Sequence, residues 1–161
     1  MNDNDMAVAF SSKTHDWGTP QWLYDDLNRE FNFTLDACAS ENNKKHSNFF
    51  SPKQDSLKQV WTGNIFINPP YGRKVGVWVK HAYESILAGD ANIVVMLLPV
   101  RTCTKWFHSY IYKQSNVEIR FLKGRLQFVG AKNKAPFPSM IVIFRGEIKN
   151  AISAENLTYE A

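Results

Sequence analysis

A chain of 161 residues, 44% hydrophobic and 21% charged with no low-complexity tract, suits one folded domain and excludes a disordered or fibrous protein. Two cysteines, Cys38 and Cys103, are too few for a disulfide framework or a cysteine-rich metal site, and no apolar run is long enough to span a membrane. A net charge of +4 tilts toward a polyanionic partner, and five Trp with eleven Phe exceed the aromatic needs of a core this size.

The acidic opening Met1-Asn2-Asp3-Asn4-Asp5 is unlike a signal peptide, so the expected compartment is the cytoplasm. Residues 1–161 read as a single domain, with a core of about 17–146 between polar, flexible tails at 1–16 and 147–161. Trp17-Gly18-Thr19-Pro20 introduces a helix in which Thr19 suits the N-cap and Pro20 the first helical position. Leu23, Leu27 and Phe31 follow at helical spacing, with Asp25, Asp26 and Arg29 on the other face.

Residues 33–36 read as a strand running into the turn Ala37-Cys38-Ala39-Ser40. Small side chains there let the backbone approach a ligand, and Asp36 stands at the strand's carboxyl end. Cys38 reads as a packing residue, because nothing nearby would lower its pKa. Residues 41–51 are too few to hold a full helix and another strand, so this crossover must be abbreviated. Glu41, and His46 with Lys44 and Lys45, read as solvated charge. Asp55-Ser56-Leu57 then leads toward Trp61.

The most informative stretch is Asn64-Ile65-Phe66-Ile67-Asn68-Pro69-Pro70-Tyr71-Gly72. Ile65, Phe66 and Ile67 make a short buried strand that stops at two prolines, neither of which can donate to a ladder. Each proline also holds the residue before it extended, giving a stiff loop at the carboxyl end of a strand, where open α/β sheets place ligands. Asn68 offers a side-chain carbonyl. The Pro69 carbonyl faces no adjacent N–H, because residue 70 is also proline, and Tyr71 adds an aromatic face. Two fixed acceptors beside a flat ring suit a planar amine better than a phosphate or a metal.

Residues 76–87 read as a helix with the stripe Val75, Val79, Ala82 and Ile86, stopped at Gly89. The unbroken apolar run 93–99 suits a central parallel strand covered on both faces. If it runs parallel to the strand before Asn68, Arg101 and Thr102 open a loop on the same sheet edge. A short helix at 105–112 packs through Phe107 and Ile111, and His108 reads as structural. Strands are expected at 117–121 and 125–128, joined through Lys123-Gly124, and at 140–144. The basic, proline-bounded loop 129–138 lies between the last two. Arg73, Lys74, Arg101, Lys132 and Lys134 are the candidates for phosphate contacts.

Asn68-Pro69-Pro70-Tyr71 resembles the motif of amino-methyltransferases that use S-adenosylmethionine, and the features over 17–144 are collinear with the compact phage-type DNA N6-adenine methyltransferases, the Dam-like family common in bacteriophages and prophages. The resemblance implies an α/β, Rossmann-like methyltransferase sheet, mostly parallel, with a closing antiparallel hairpin and an abbreviated first βαβ unit. It implies S-adenosylmethionine as cofactor, DNA as partner, no metal, and the host cytoplasm as the setting if the gene is phage-encoded. Asn68, Pro69, Pro70 and Tyr71 would be catalytic, with Tyr71 stacking on the target base. Trp17, Thr19 and Pro20 would form one wall of the cofactor pocket. Asp36 with Ala37, Cys38 and Ala39 would supply the first cofactor motif, in a variant without glycines, and Asp55 the contact to the cofactor's adenine amine. Phe128 matches an aromatic on the closing hairpin that sandwiches the base against Tyr71.

The same tetrapeptide serves enzymes that methylate glutamine in proteins, and an RNA adenine methyltransferase would share every feature above. A catalytically silent nucleic-acid-binding module is a further reading, favoured by the departure from a glycine-rich first motif. No separate recognition domain is visible, so sequence specificity would come from loops such as 101–106 and 129–138.

Overall fold

In a computed structural model that describes residues 17–147, one sheet is built from β1 (Leu35–Asp36), β2 (Gly63–Ile67), β3 (Ala91–Pro99), β4 (Val117–Phe121) and β5 (Ser139–Arg145). Among the described residues three α-helices accompany it: α1 (Gln21–Phe31), α2 (Val75–Leu87) and α3 (Lys105–Tyr110). The expected tails at 1–16 and 147–161 lie outside the described residues except for Glu147. The strand order is β1-β2-β3-β5-β4. β1, β2 and β3 pair in parallel, while β5 pairs antiparallel with both β3 and β4. Four strands therefore point one way, and only β5 runs against them.

The apolar run of β3 is covered on both faces, as its composition requires. Val94, Met96 and Leu98 join Ile65, Ile67, Met140, Val142 and Phe144 beneath α2 and α3. Val95 and Leu97 face the other way and meet Leu23, Leu27 and Phe31 of α1. The expected stripe of α2 is buried against the sheet. That helix ends where Gly89 takes φ +74°, a left-handed conformation that glycine adopts without steric cost.

Three local expectations need correction. Thr19 does not cap α1. Pro20 occupies the cap position in extended geometry, and its carbonyl accepts from Leu23 N at 3.1 Å and Tyr24 N at 3.2 Å. β1 is only two residues long, although Thr34 N still donates to Asn64 O at 2.8 Å. Residues 125–128 form no strand, so the antiparallel partner of β4 is β5. Met140 to Phe144 of β5 are all buried and can fill a place between two strands, whereas Arg125 and Gln127 are exposed and only Leu126 and Phe128 turn inward.

The connection from β1 to β2 is abbreviated as expected. It contains two 3-10 turns, Pro52–Gln54 and Ser56–Lys58, and no α-helix. Phe49 forms a parallel bridge with Asp36, so the loop itself lies against the edge of β1.

Candidate active site

Segments leaving the carboxyl ends of β1 and β2, and the connection between β4 and β5, come together at one sheet edge. Gly18 and Val129 form an antiparallel bridge, with N–H to carbonyl distances of 3.2 and 2.9 Å, which ties the lead-in to α1 onto that connection. Between these segments lies a cavity of about 470 Å³, within the size range of cofactor and small-ligand sites.

The structure brings Trp17, Thr19, Asp36, Ala37, Cys38, Ala39, Asp55, Asn68, Pro69, Pro70, Tyr71 and Phe128 to the wall of this cavity. Pro20, Arg73, Lys74, Arg101, Lys132 and Lys134 do not line it. Pro20 is buried beneath the start of α1, and the cations lie in loops at the same sheet edge. Gly18, Ser40, Lys45, Phe50, Ser56 and Trp78 are wall residues that sequence reasoning missed. The Phe49-Phe50 doublet inside a polar stretch was the available signal for Phe50, and the small-residue turn that of Ser40; Lys45 carried none.

Asn68 is the best-placed acceptor. Its Nδ2 faces the Trp17 carbonyl at a long 3.5 Å, and Oδ1 has no partner among the described residues. The Pro69 carbonyl likewise receives no hydrogen bond among the described residues. The Tyr71 ring is fixed by its hydroxyl, which donates to the Leu97 carbonyl of β3 at 3.0 Å, and burial pushes its pKa up. Tyr71 meets Phe128 edge to face, with centroids 6.0 Å apart and planes at 77°. The near-parallel neighbour of Phe128 is Trp17, at 6.0 Å and 19°. These three rings form an aromatic corner next to Asn68.

Asp36 lies in the wall formed at the end of β1. It is 2% exposed, and its carboxylate accepts from Lys45 N at 2.9 Å and Cys38 N at 3.4 Å. Burial outweighs these bonds and pushes its pKa up to about 6. Burial, with the Asp36 charge adding to it, also raises the Cys38 thiol to about 12, which fits a packing role. Asp55 sits at φ +49° with one oxygen 3.0 Å from Lys58 Nζ. Glu41 pairs with Lys44 at 2.6 Å and stays on the surface. Ser40 Oγ is buried in the same wall without a hydrogen-bond partner among the described residues, a group that a polar ligand could satisfy. Among the described residues no cluster of His, Cys, Asp and Glu could hold a metal ion, and no helix is long and apolar enough to cross a membrane.

The raised pKa of Asp36 has a testable sign. The folded state holds this proton more tightly than the unfolded chain, so the associated stability is full below pH 3.8 and is lost as pH rises through about 6. The shift corresponds to an order of 3 kcal/mol against the apoprotein at neutral pH. Thermal unfolding of the wild type and Asp36→Asn from pH 4 to 7.5 should therefore show the difference moving in favour of the variant as pH rises. Parallel curves would remove the ionisation of Asp36 from the stability of this wall.

Comparison with known proteins joins these features. The family model described as DNA N-6-adenine-methyltransferase (Dam) matches residues 9–159. A protein named DNA N-6-adenine-methyltransferase from Haemophilus phage HP1 (strain HP1c1) is 32% identical over 150 residues, covering 86% of this chain and 85% of the relative. One of the same name from Escherichia phage T1 is 31% identical over 143 residues, covering 87% of this chain and 58% of the relative. With a match over nearly its whole length and the Asn68–Tyr71 loop opening on the cavity, the chain belongs to the DNA N-6-adenine-methyltransferase family.

Proposed function

We propose that this chain transfers a methyl group from S-adenosylmethionine to N6 of adenine in DNA, working as a single Rossmann-like methyltransferase domain over residues 17–146. The observation that carries this is the convergence of two chemistries on one cavity: the amine acceptors of the loop after β2 and the acidic, small-residue turn after β1.

The cavity fits the cofactor in size, in its aromatic and small apolar walls, and in the unpartnered Ser40 hydroxyl. Trp17, Thr19, Asp36, Ala37, Cys38, Ala39 and Asp55 would hold it, with the Asp36 carboxylate countering its positive charge. Pro20 would act from behind, by fixing Thr19 at the start of α1. When bound, the cofactor supplies an electrophilic methyl group on a sulfonium.

Adenine N6 is a poor nucleophile, because its lone pair is delocalised into the ring. Asn68 Oδ1 and the Pro69 carbonyl accept the two N6 hydrogens and favour a pyramidal nitrogen with its lone pair turned toward the methyl. Acceptors fixed in advance stabilise charge where it develops, and the prolines keep them from relaxing away. The Tyr71 ring takes the face of the base, and Phe128 completes the aromatic corner. A strong general base is unnecessary, since the nitrogen becomes acidic once methylated.

Arg73, Lys74, Arg101, Lys132 and Lys134 have no acidic partner among the described residues, whereas Arg29, Lys44, Lys58, Lys80, Arg120 and Arg145 each pair with a carboxylate. Arg73, Lys74, Lys132 and Lys134 follow cavity-lining segments and Arg101 follows β3 at the same sheet edge, which suits phosphate contacts, and the expected setting is the cytoplasm of a phage-infected host. DNA affinity should fall steeply with salt, by about one unit of logarithmic slope for each phosphate neutralised. Indifference to salt in a binding titration would remove the phosphate-tracking surface.

The deciding experiment is transfer of tritium from labelled S-adenosylmethionine into DNA, RNA and protein pools, followed by nucleoside analysis. Label in N6-methyladenine of DNA is the expected result. Label confined to RNA or to glutamine, or no transfer in a protein that binds DNA, would overturn the reading.

A further inference from the structure

Trp22 is a large apolar side chain that the fold does not use. It projects from the first turn of α1 and is 61% exposed. With Lys123, Gly124, Arg125 and Gln127 it lines a shallow groove of about 160 Å³. Lys123 and Arg125 are exposed and have no acidic partner among the described residues. Gly124 lies between them at φ +76°, so the backbone turns sharply and presents both cations from one tight loop.

The position of this groove relative to the cavity follows from the chain. Gln127 lines the groove and its neighbour Phe128 lines the cavity. On the facing segment, Thr19 lines the cavity and Trp22, three residues on, lines the groove. The Gly18–Val129 bridge ties the two segments together, so the cavity and the groove border the same pair of segments.

We propose that the Trp22–Lys123–Arg125 groove is a DNA-docking subsite that receives the nucleotide next to the target adenine on the same strand. Trp22 stacks on its base, while Lys123 and Arg125 neutralise the flanking phosphates. An exposed indole beside two unpaired cations is the arrangement used for single-stranded nucleic acid, in which any base can stack on the ring and phosphates meet the charges. A base taken out of the stack leaves its neighbour with an uncovered face, and the indole would cover it. The inference rests on DNA being the substrate.

The test uses the full chain with Trp22→Ala, Arg125→Glu and, as a charge-matched control near the opposite sheet edge, Lys113→Glu. Trp22→Ala should raise the KM for DNA five- to tenfold with kcat nearly unchanged, and Trp22→Phe should restore most of it. Arg125→Glu should weaken DNA binding more than Lys113→Glu and lower the salt slope by about one. Cofactor affinity by calorimetry and the thermal midpoint should match wild type in all of them, because these side chains are exposed and outside the cavity. Active wild type with variants of unchanged KM and salt slope would overturn the groove alone. Wild type that transfers no methyl to DNA would overturn the function first, and the groove with it.

Discussion

Replacing Asn68 with alanine should lower single-turnover methylation about a hundredfold or more, because a preorganised acceptor is lost where charge develops. Cofactor affinity should barely move, since Asn68 Oδ1 has no bond among the described residues to redistribute. Stability should fall only slightly, because the one side-chain bond lost is the 3.5 Å contact of Nδ2 with the Trp17 carbonyl. Asn68→Asp should keep part of the activity, as a carboxylate still accepts from the amine. A residue that merely shaped a turn would give the opposite pattern, with activity following the folded fraction. Rapid-quench methylation and thermal unfolding on the same preparations separate the two, and a folded Asn68→Ala protein with near-normal turnover would sink the catalytic assignment.

Trp61→Ala should have the largest effect on stability. Trp61 is 0% exposed, stacked on Trp78 with centroids 6.3 Å apart and edge-on to His81 at 4.5 Å. Removing so large a buried ring costs about 3–5 kcal/mol, a substantial share of the roughly 5–15 kcal/mol that holds a domain together. The indole also donates to Ser56 O at 3.1 Å and Ser56 Oγ at 3.0 Å, fastening the turn that carries Asp55 and Ser56 into the cavity wall. Trp61→Phe keeps most of the packing and removes that donor. It should cost about 1–2 kcal/mol and weaken cofactor binding more than its stability loss explains. Unchanged cofactor affinity in Trp61→Phe, measured by calorimetry, would disconnect this core residue from the site.

Much of this architecture was legible because burial is periodic. Leu23, Leu27 and Phe31, then Val75, Val79, Ala82 and Ile86, announce helices that each turn one stripe to a sheet, and the run in β3 announces a strand covered twice. The Asn68–Tyr71 loop was legible because two prolines leave so little conformational choice. The failures share a cause in long-range partners. Thr19 is a good cap by type, yet it is drawn into the cavity wall, and Pro20 takes its place. Residues 125–128 alternate like a strand, but their burial is toward α1 and Trp17, and the sheet position is taken by the more apolar β5. Ser40 and Lys45 enter the cavity only because the β1–β2 connection folds back, which local sequence does not encode.

The placement of β5 between β3 and β4 has a consequence for how the chain emerges from the ribosome. Two strands made earlier, β3 and β4, end up on either side of one made later, and they share no ladder except through it. Until residues 139–145 have cleared the exit tunnel, β3 carries an open edge along the unbroken apolar run Val94 to Leu98. Such an edge is a template for pairing with other chains. The sheet cannot be completed one strand at a time during synthesis. It closes late and in one step, when the inserted strand arrives, so a nascent chain stalled before that point is a candidate for aggregation and chaperone capture.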